Sequence, residues 1–255
     1  MAPSTDTSTP AKPPKLRATL TSGEGIVTVK VGPDQHQQDF QIHKALLTHH
    51  SEYFRAALQG EWKEAEDRVV VLDDVEPDVF GIFATWLYTG KVPDINRERE
   101  LALENDGKAT TAYLACIKGY ALGDRIMASA FCQLMNNGFV DIVDEHGFHV
   151  EEVCEIAILA FEQLPAHSLL LGFMVEQYFS ESYVCGDSSE VIYFEKMFPH
   201  EFLLRGMRRF REMQRGDAPI EEGTRCYHEH TAEEEEKCHS LHMWYDEKTE
   251  SAYFG

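Results

Sequence analysis

The sequence predicts an α+β fold: a small mixed sheet capped by a cluster of helices, followed by an all-helical C-terminal extension and an acidic tail that contains cysteine and histidine. Three observations lead there. Valines at 27, 29 and 31 alternate with polar residues, the pattern of a half-buried strand. Val69-Val70-Val71-Leu72 is an apolar run too short for a helix and rich in β-branched residues, which suits a buried strand. From Val79 onward apolar residues recur at helical spacing far down the chain, interrupted by Gly, Pro and polar runs.

In chain order, Ile26 to Val31 is the first strand, with its valines inward and Thr28 and Lys30 outward. Gly32-Pro33 and the polar residues to Gln38 form a turn, and Asp39 to Ile42 returns as a second strand with Phe40 and Ile42 inward. Ala45, Leu46 and Leu47 suit one short helix. Ser51 caps the next, because its hydroxyl can accept a backbone N–H of the first turn, and Tyr53, Phe54, Ala57 and Leu58 supply the apolar face. After the Val69 strand, Pro77 opens a helix where its missing N–H would be unpaired in any case, and Gly90 closes it. Within that helix Val79, Phe83 and Leu87 recur every four residues, with Phe80 and Trp86 widening the stripe. Asp94 to Lys108 is polar, acidic and free of aromatics, and is read as a mobile loop. Tyr113 to Met135 reads as a helical pair broken at Gly123-Asp124, its second member starting at Ile126 and running towards Val143. Glu151 to Leu164, Leu169 to Phe179 and Val191 to Met197 continue the helical pattern. The expected organisation is a disordered lead (1–22), an α+β domain (23–140) with a polar insertion (93–110), a helical extension (141–215) and an acidic Cys/His tail (216–255).

Four motifs carry a family resemblance: Val27-Thr28-Val29; Phe-x-x-His-Lys-x-x-Leu over Phe40 to Leu47; Ser-x-x-Phe over Ser51 to Phe54; and Leu87-Tyr88-Thr89-Gly90. On these, residues 24 to 135 resemble the BTB/POZ domain. The resemblance implies a protein-interaction module that associates with itself or with another BTB chain through its first helices and strand. One position departs from the pattern: Gly25, beside Glu24, stands where many members carry aspartate before the first strand. No kelch, ankyrin or zinc-finger repeat is legible in the helices that follow.

In BTB adaptors of cullin-RING ubiquitin ligases, a hydrophobic-x-Glu motif before the third strand helps to dock the cullin, and Trp62-Lys63-Glu64 matches it. The resemblance therefore implies partner contact at Trp62 and Glu64, with Tyr53 and Phe54 on the adjoining helix. The alternative is that Trp62 folds back over the sheet edge while Glu64, Glu66 and Asp67 are solvated turn charges. His43 reads as a structural histidine.

With 44 acidic and 23 basic residues the formal net charge is −21, a field that repels phosphate backbones and argues against nucleic acid as a partner. Arg205, Arg208, Arg209, Arg211 and Arg215 punctuate a helix whose apolar positions are Leu203, Met207, Phe210 and Met213. They read as its solvated face. No run of eighteen apolar residues spans a membrane, and Met1 to Pro14 lacks the apolar core of a secretory signal, so a cytoplasmic or nuclear address is expected. The six cysteines, at 116, 132, 154, 185, 226 and 238, are accordingly read as reduced.

In the tail, Cys226, His228 and His230 share one side of an extended segment, and a turn through the following glutamates can return Cys238 to complete a Cys₂His₂ set suited to zinc. The spacing is not that of an ordinary finger, and an acidic tail with incidental histidines is the other reading. This end of the chain resembles the tails of stand-alone BTB proteins of filamentous fungi.

Catalytic signatures are missing. His228-Glu229-His230 is followed by Ala232 where a zincin needs histidine, there is no G-x-S-x-G, and Thr89-Gly90-Lys91 lacks the upstream glycine of a P-loop. The expected function is a non-enzymatic scaffold that oligomerises through its BTB domain. A cullin-RING adaptor or substrate receptor, and a regulatory protein with a zinc-binding tail, are the alternatives.

Overall fold

The computed structural model describes residues 25–59, 63–91, 110–146, 150–185, 189–215, 225–238, 241–246 and 251–254. The disordered lead and nearly all of the polar insertion expected from sequence lie outside these residues.

The N-terminal sheet is mixed, as expected. Strand β1 (Ile26–Val31) pairs antiparallel with β2 (Gln38–His43) and parallel with β3 (Val69–Leu72), giving the order β2-β1-β3. Val29 faces Phe40 on one side and Val70 on the other, so the inward positions of three strands fall in one layer. Val27, Val29 and Val31 are fully buried, whereas Val71 points out with half its surface exposed.

Helices α1 (Lys44–His50), α2 (Glu52–Gln59), α3 (Lys63–Asp67) and α4 (Pro77–Thr89) cap this sheet. The motif residues act as fasteners between them. The Tyr88 hydroxyl accepts the His43 backbone N–H at 3.1 Å and lies 2.9 Å from His43 Nδ1, tying the end of β2 to α4. Lys44 Nζ donates to the Leu58 carbonyl at 2.7 Å, where the last carbonyls of α2 lack helical partners. Ser51 Oγ accepts the Phe54 N–H at 3.1 Å and donates to the Ile126 carbonyl at 2.6 Å, so the cap of α2 also joins the domain to its closing helices. Pro77 occupies the first turn of α4, and Gly90 ends it in the left-handed conformation at φ 67°.

Beyond the sheet come α5 (Thr110–Arg125), α6 (Ser129–His146), α7 (Val150–Gln163), α8 (Leu169–Cys185), α9 (Ser189–Glu195) and α10 (His200–Arg215). One boundary moves. Gly123-Asp124 does not break a helix: α5 runs through to Arg125, and the chain turns at Met127, whose φ is 51°. Gly123 is instead a point of close approach, because a Cβ there would sit 2.8 Å from Cys132 Sγ on α6. The sheet and the helices bury a single continuous core. Aromatic contacts run from Phe40 to Phe80, Phe83 and Phe131, and farther along from Tyr113 to Phe139, Phe173 and Tyr227.

The arginines of α10 correct the sequence reading. Phe202, Gly206 and Arg209 share the buried face, while Leu203, Met207 and Phe210 are about half exposed. Arg209 makes a two-pronged pair with Glu176 of α8, at 2.6 Å and 2.7 Å. Arg205 donates to Glu201 and to the Ala166 carbonyl and lies over the Phe161 ring. Glu176 on α8 and the Phe161 ring on α7 thus draw two arginines inward, and Arg208 and Arg211 are exposed as the solvated face expected from sequence. The outward apolar stripe walls a groove of about 480 Å³ with Tyr178 and Phe198.

The tail carries a second sheet that sequence reasoning did not anticipate: β4 (Arg225–Cys226) parallel to β5 (Leu241–Asp246), which is antiparallel to β6 (Ser251–Phe254). A short helix, α11 (Ala232–Glu235), takes up the glutamate run.

Candidate interaction surface and cysteine–histidine cluster

Of the four partner-contact residues expected from sequence, Glu64 is exposed on α3 and Tyr53 is half-buried on α2. Trp62 lies outside the described residues. Phe54 is a correction: it is fully buried, stacked 6.5 Å from Phe83 and edge-on to Tyr53, so it builds the core beneath the surface and cannot itself touch a partner. The period of α2 explains this, since Phe54 and Leu58 share the inward face and leave Glu52, Arg55 and Gln59 outward. Beside them a groove of about 530 Å³ opens between the α1–α2 junction, the α5–α6 turn and the tail, lined by His49, Glu52, Arg55, Asp124, Met127 and Glu229 among others.

The core cysteines are inert by environment. Burial pushes the thiols of Cys116 and Cys132 up to about 12, so neither presents a thiolate at neutral pH. Cys116, Cys132, Cys154, Cys226 and Cys238 are all free thiols.

The tail residues do converge. Cys226, His230 and Cys238 each bring one donor atom within 4.8 Å of the other two, with Cys226 Sγ 3.1 Å from His230 Nε2. His228 lies just outside that trio, its Nδ1 3.6 Å from Cys226 Sγ and its Nε2 2.9 Å from Asp141 Oδ1 on α6. Strand geometry is confined to Arg225–Cys226, residues 227–231 have no regular secondary structure, and α11 provides the return to Cys238. Burial pushes the Cys226 thiol up, and the neighbouring Cys238 thiol adds to the shift.

What sequence reasoning missed is the strap beneath the cluster. Gln133, Asn137 and Asp141 stand four residues apart on one face of α6, a polar line that was the available signal. Gln133 and Asn137 donate to the Glu229 carbonyl, both at 2.9 Å, and Asn137 Oδ1 accepts the Glu229 N–H at 2.8 Å. Buried Asn136 donates to the Tyr227 carbonyl at 2.8 Å. The Tyr120 hydroxyl donates to Glu229 Oε1 at 3.0 Å; burial, reinforced by that carboxylate, raises the Tyr120 pKa strongly and keeps the phenol protonated.

Comparison with known proteins places the N-terminal unit. Residues 27–105 match the family model of the BTB/POZ domain. An 82-residue segment is 34% identical to Kelch-like protein 40b of Danio rerio, covering 31% of this chain and 13% of that protein. A 55-residue segment is 38% identical to Kelch repeat and BTB domain-containing protein 4 of Pongo abelii, covering 22% of this chain and 11% of that protein. The chain thus matches only a small part of the length of these relatives.

Proposed function

We propose that this chain, whose residues 27–105 form a BTB/POZ domain, is a non-enzymatic scaffold that joins a second BTB chain, its own copy or another, in the cytoplasm or nucleus. The observation that supports it is the BTB/POZ match laid on a fold whose motif residues His43, Lys44, Ser51 and Tyr88 all serve structure. The polar side chains an enzyme would spend on chemistry here fasten one element to the next. What remains for function is the outer surface, where Ile26, Val71 and Met127 are each about half exposed. We infer too that the chain is a stand-alone BTB protein of the filamentous-fungal kind, its domain working with its own helical extension. Light scattering on the purified chain, alone and co-expressed with other BTB chains, tests the proposal. It expects a particle of at least two BTB chains, and a monomer in every case contradicts it.

A second reading, adaptor of a cullin-RING ligase, is favoured by the exposure of Glu64, the last residue of the Trp62-Lys63-Glu64 motif. Cullin capture that weakens in Trp62→Ala and Glu64→Ala while the fold is kept supports this reading, and capture unchanged in both discards it.

A further inference from the structure

We propose that Cys226, His228, His230 and Cys238 form a structural zinc site that clips the C-terminal segment onto α6. The donor set comes first. Two thiols and two imidazoles are the ligands that zinc takes in closed four-coordinate sites, and the mixture of sulfur and nitrogen selects it over magnesium or calcium. Distances agree. With metal–sulfur bonds near 2.3 Å and metal–nitrogen bonds near 2.0 Å, tetrahedral donors of unlike type stand roughly 3.5 Å apart. Cys226 Sγ lies 3.1 Å from His230 Nε2, and these two donors and one of Cys238 all lie within 4.8 Å of one another; His228 stands outside that group and approaches it through Cys226 Sγ, 3.6 Å from its Nδ1.

Asp141 supplies an independent argument. Its carboxylate, 2.9 Å from His228 Nε2, holds the proton on that nitrogen and leaves the Nδ1 lone pair facing Cys226. A carboxylate behind the distal nitrogen is the usual outer partner of a metal-bound histidine, fixing both tautomer and ring orientation. Of the nearby carboxylates, Glu229 is engaged with Tyr120 and Glu234 with Thr231, while the charge of Asp144 acts on both Cys226 and His228.

The backbone is already shaped for the ion. Asn137 grips both the N–H and the carbonyl of Glu229, between the two histidines, and the Cys238 N–H donates to the Glu234 and Glu235 carbonyls at the end of α11. Since β4 also begins the C-terminal sheet, pairing Cys226 with His242, an ion bound here ties that sheet to the α6 surface. Metal binding then contributes directly to the folding of the tail.

The test uses the full chain, purified without chelator and analysed for zinc by mass spectrometry, together with a Cys238→Ser/His230→Ala double variant and Asp141→Asn. The account expects about one zinc per chain in the wild type, near-complete loss in the double variant with helical circular dichroism retained, and faster proteolysis between residues 216 and 240. Asp141 is mostly exposed, so Asp141→Asn keeps the fold and is expected to weaken zinc affinity roughly 10- to 100-fold. Cobalt substitution is expected to give thiolate-to-metal absorption that the double variant lacks. Wild-type protein that holds no stoichiometric zinc after reconstitution, a double variant that keeps its zinc, unchanged affinity in Asp141→Asn, or a Cys226–Cys238 disulfide in fresh protein would each overturn the assignment.

Discussion

The Tyr88 hydroxyl reaches across 45 residues of sequence to bind both the backbone N–H and the Nδ1 of His43, so two motifs that look independent in the sequence are halves of one junction. Removing the hydroxyl with Tyr88→Phe leaves both His43 groups unpaired in a part-buried place. The expected cost is about 1–2 kcal/mol. Urea unfolding is expected to show a lower midpoint with an unchanged slope.

That junction also shows what the sequence made legible. The alternating valines, the Ser51 cap, the Pro77 start and the Gly90 stop were all readable, because each is a local preference that the surrounding core reinforces. Tertiary contacts decided the rest. Gly123 looks like a breaker until Cys132 is seen pressed against it, and the α10 arginines look solvated until Glu176 is found on the next helix. In the tail, residue types and spacing pointed to Cys226, His228, His230 and Cys238, of which the fold gathers all but His228 into one group. Asp141 and the asparagines that hold the segment lie some 90 residues upstream, and no local pattern links them to it.

Asn136 is wholly buried and gives its amide protons to the Tyr227 carbonyl and to Asn137 Oδ1. Asn136→Ala leaves the Tyr227 carbonyl without this donor, at a cost of about 1–3 kcal/mol. Limited proteolysis is expected to show early cutting around residues 225–238 while the helical core stays resistant.

Glu176 neutralises Arg209 in a site where the arginine side chain is only 8% exposed. Glu176→Ala removes both short hydrogen bonds from that cation and leaves it the longer 3.6 Å pair with Glu212, which is expected to destabilise the chain by about 3 kcal/mol. The paired change Glu176→Leu with Arg209→Met is expected to recover most of the loss, and a thermodynamic cycle over the four proteins measures the coupling.

His50 packs edge-on against Trp86, 4.8 Å between ring centres, and its pKa is lowered to about 4 by burial and then by His49. The unfolded chain, with an ordinary histidine value near 6.5, takes up the proton first as pH falls. Stability from this group is therefore full above pH 6.5 and declines as pH drops towards 4. Thermal unfolding between those values is expected to be less pH-dependent in His50→Gln than in the wild type.

Two differently tagged copies of the chain, expressed together in the native cell and purified through one tag, test the scaffold most directly. The account predicts that the second tag, or another BTB chain, comes through in near-equal amount and is lost when the BTB segment is deleted. Recovery of the bait alone, with neither its own copy nor any other BTB chain, would contradict it.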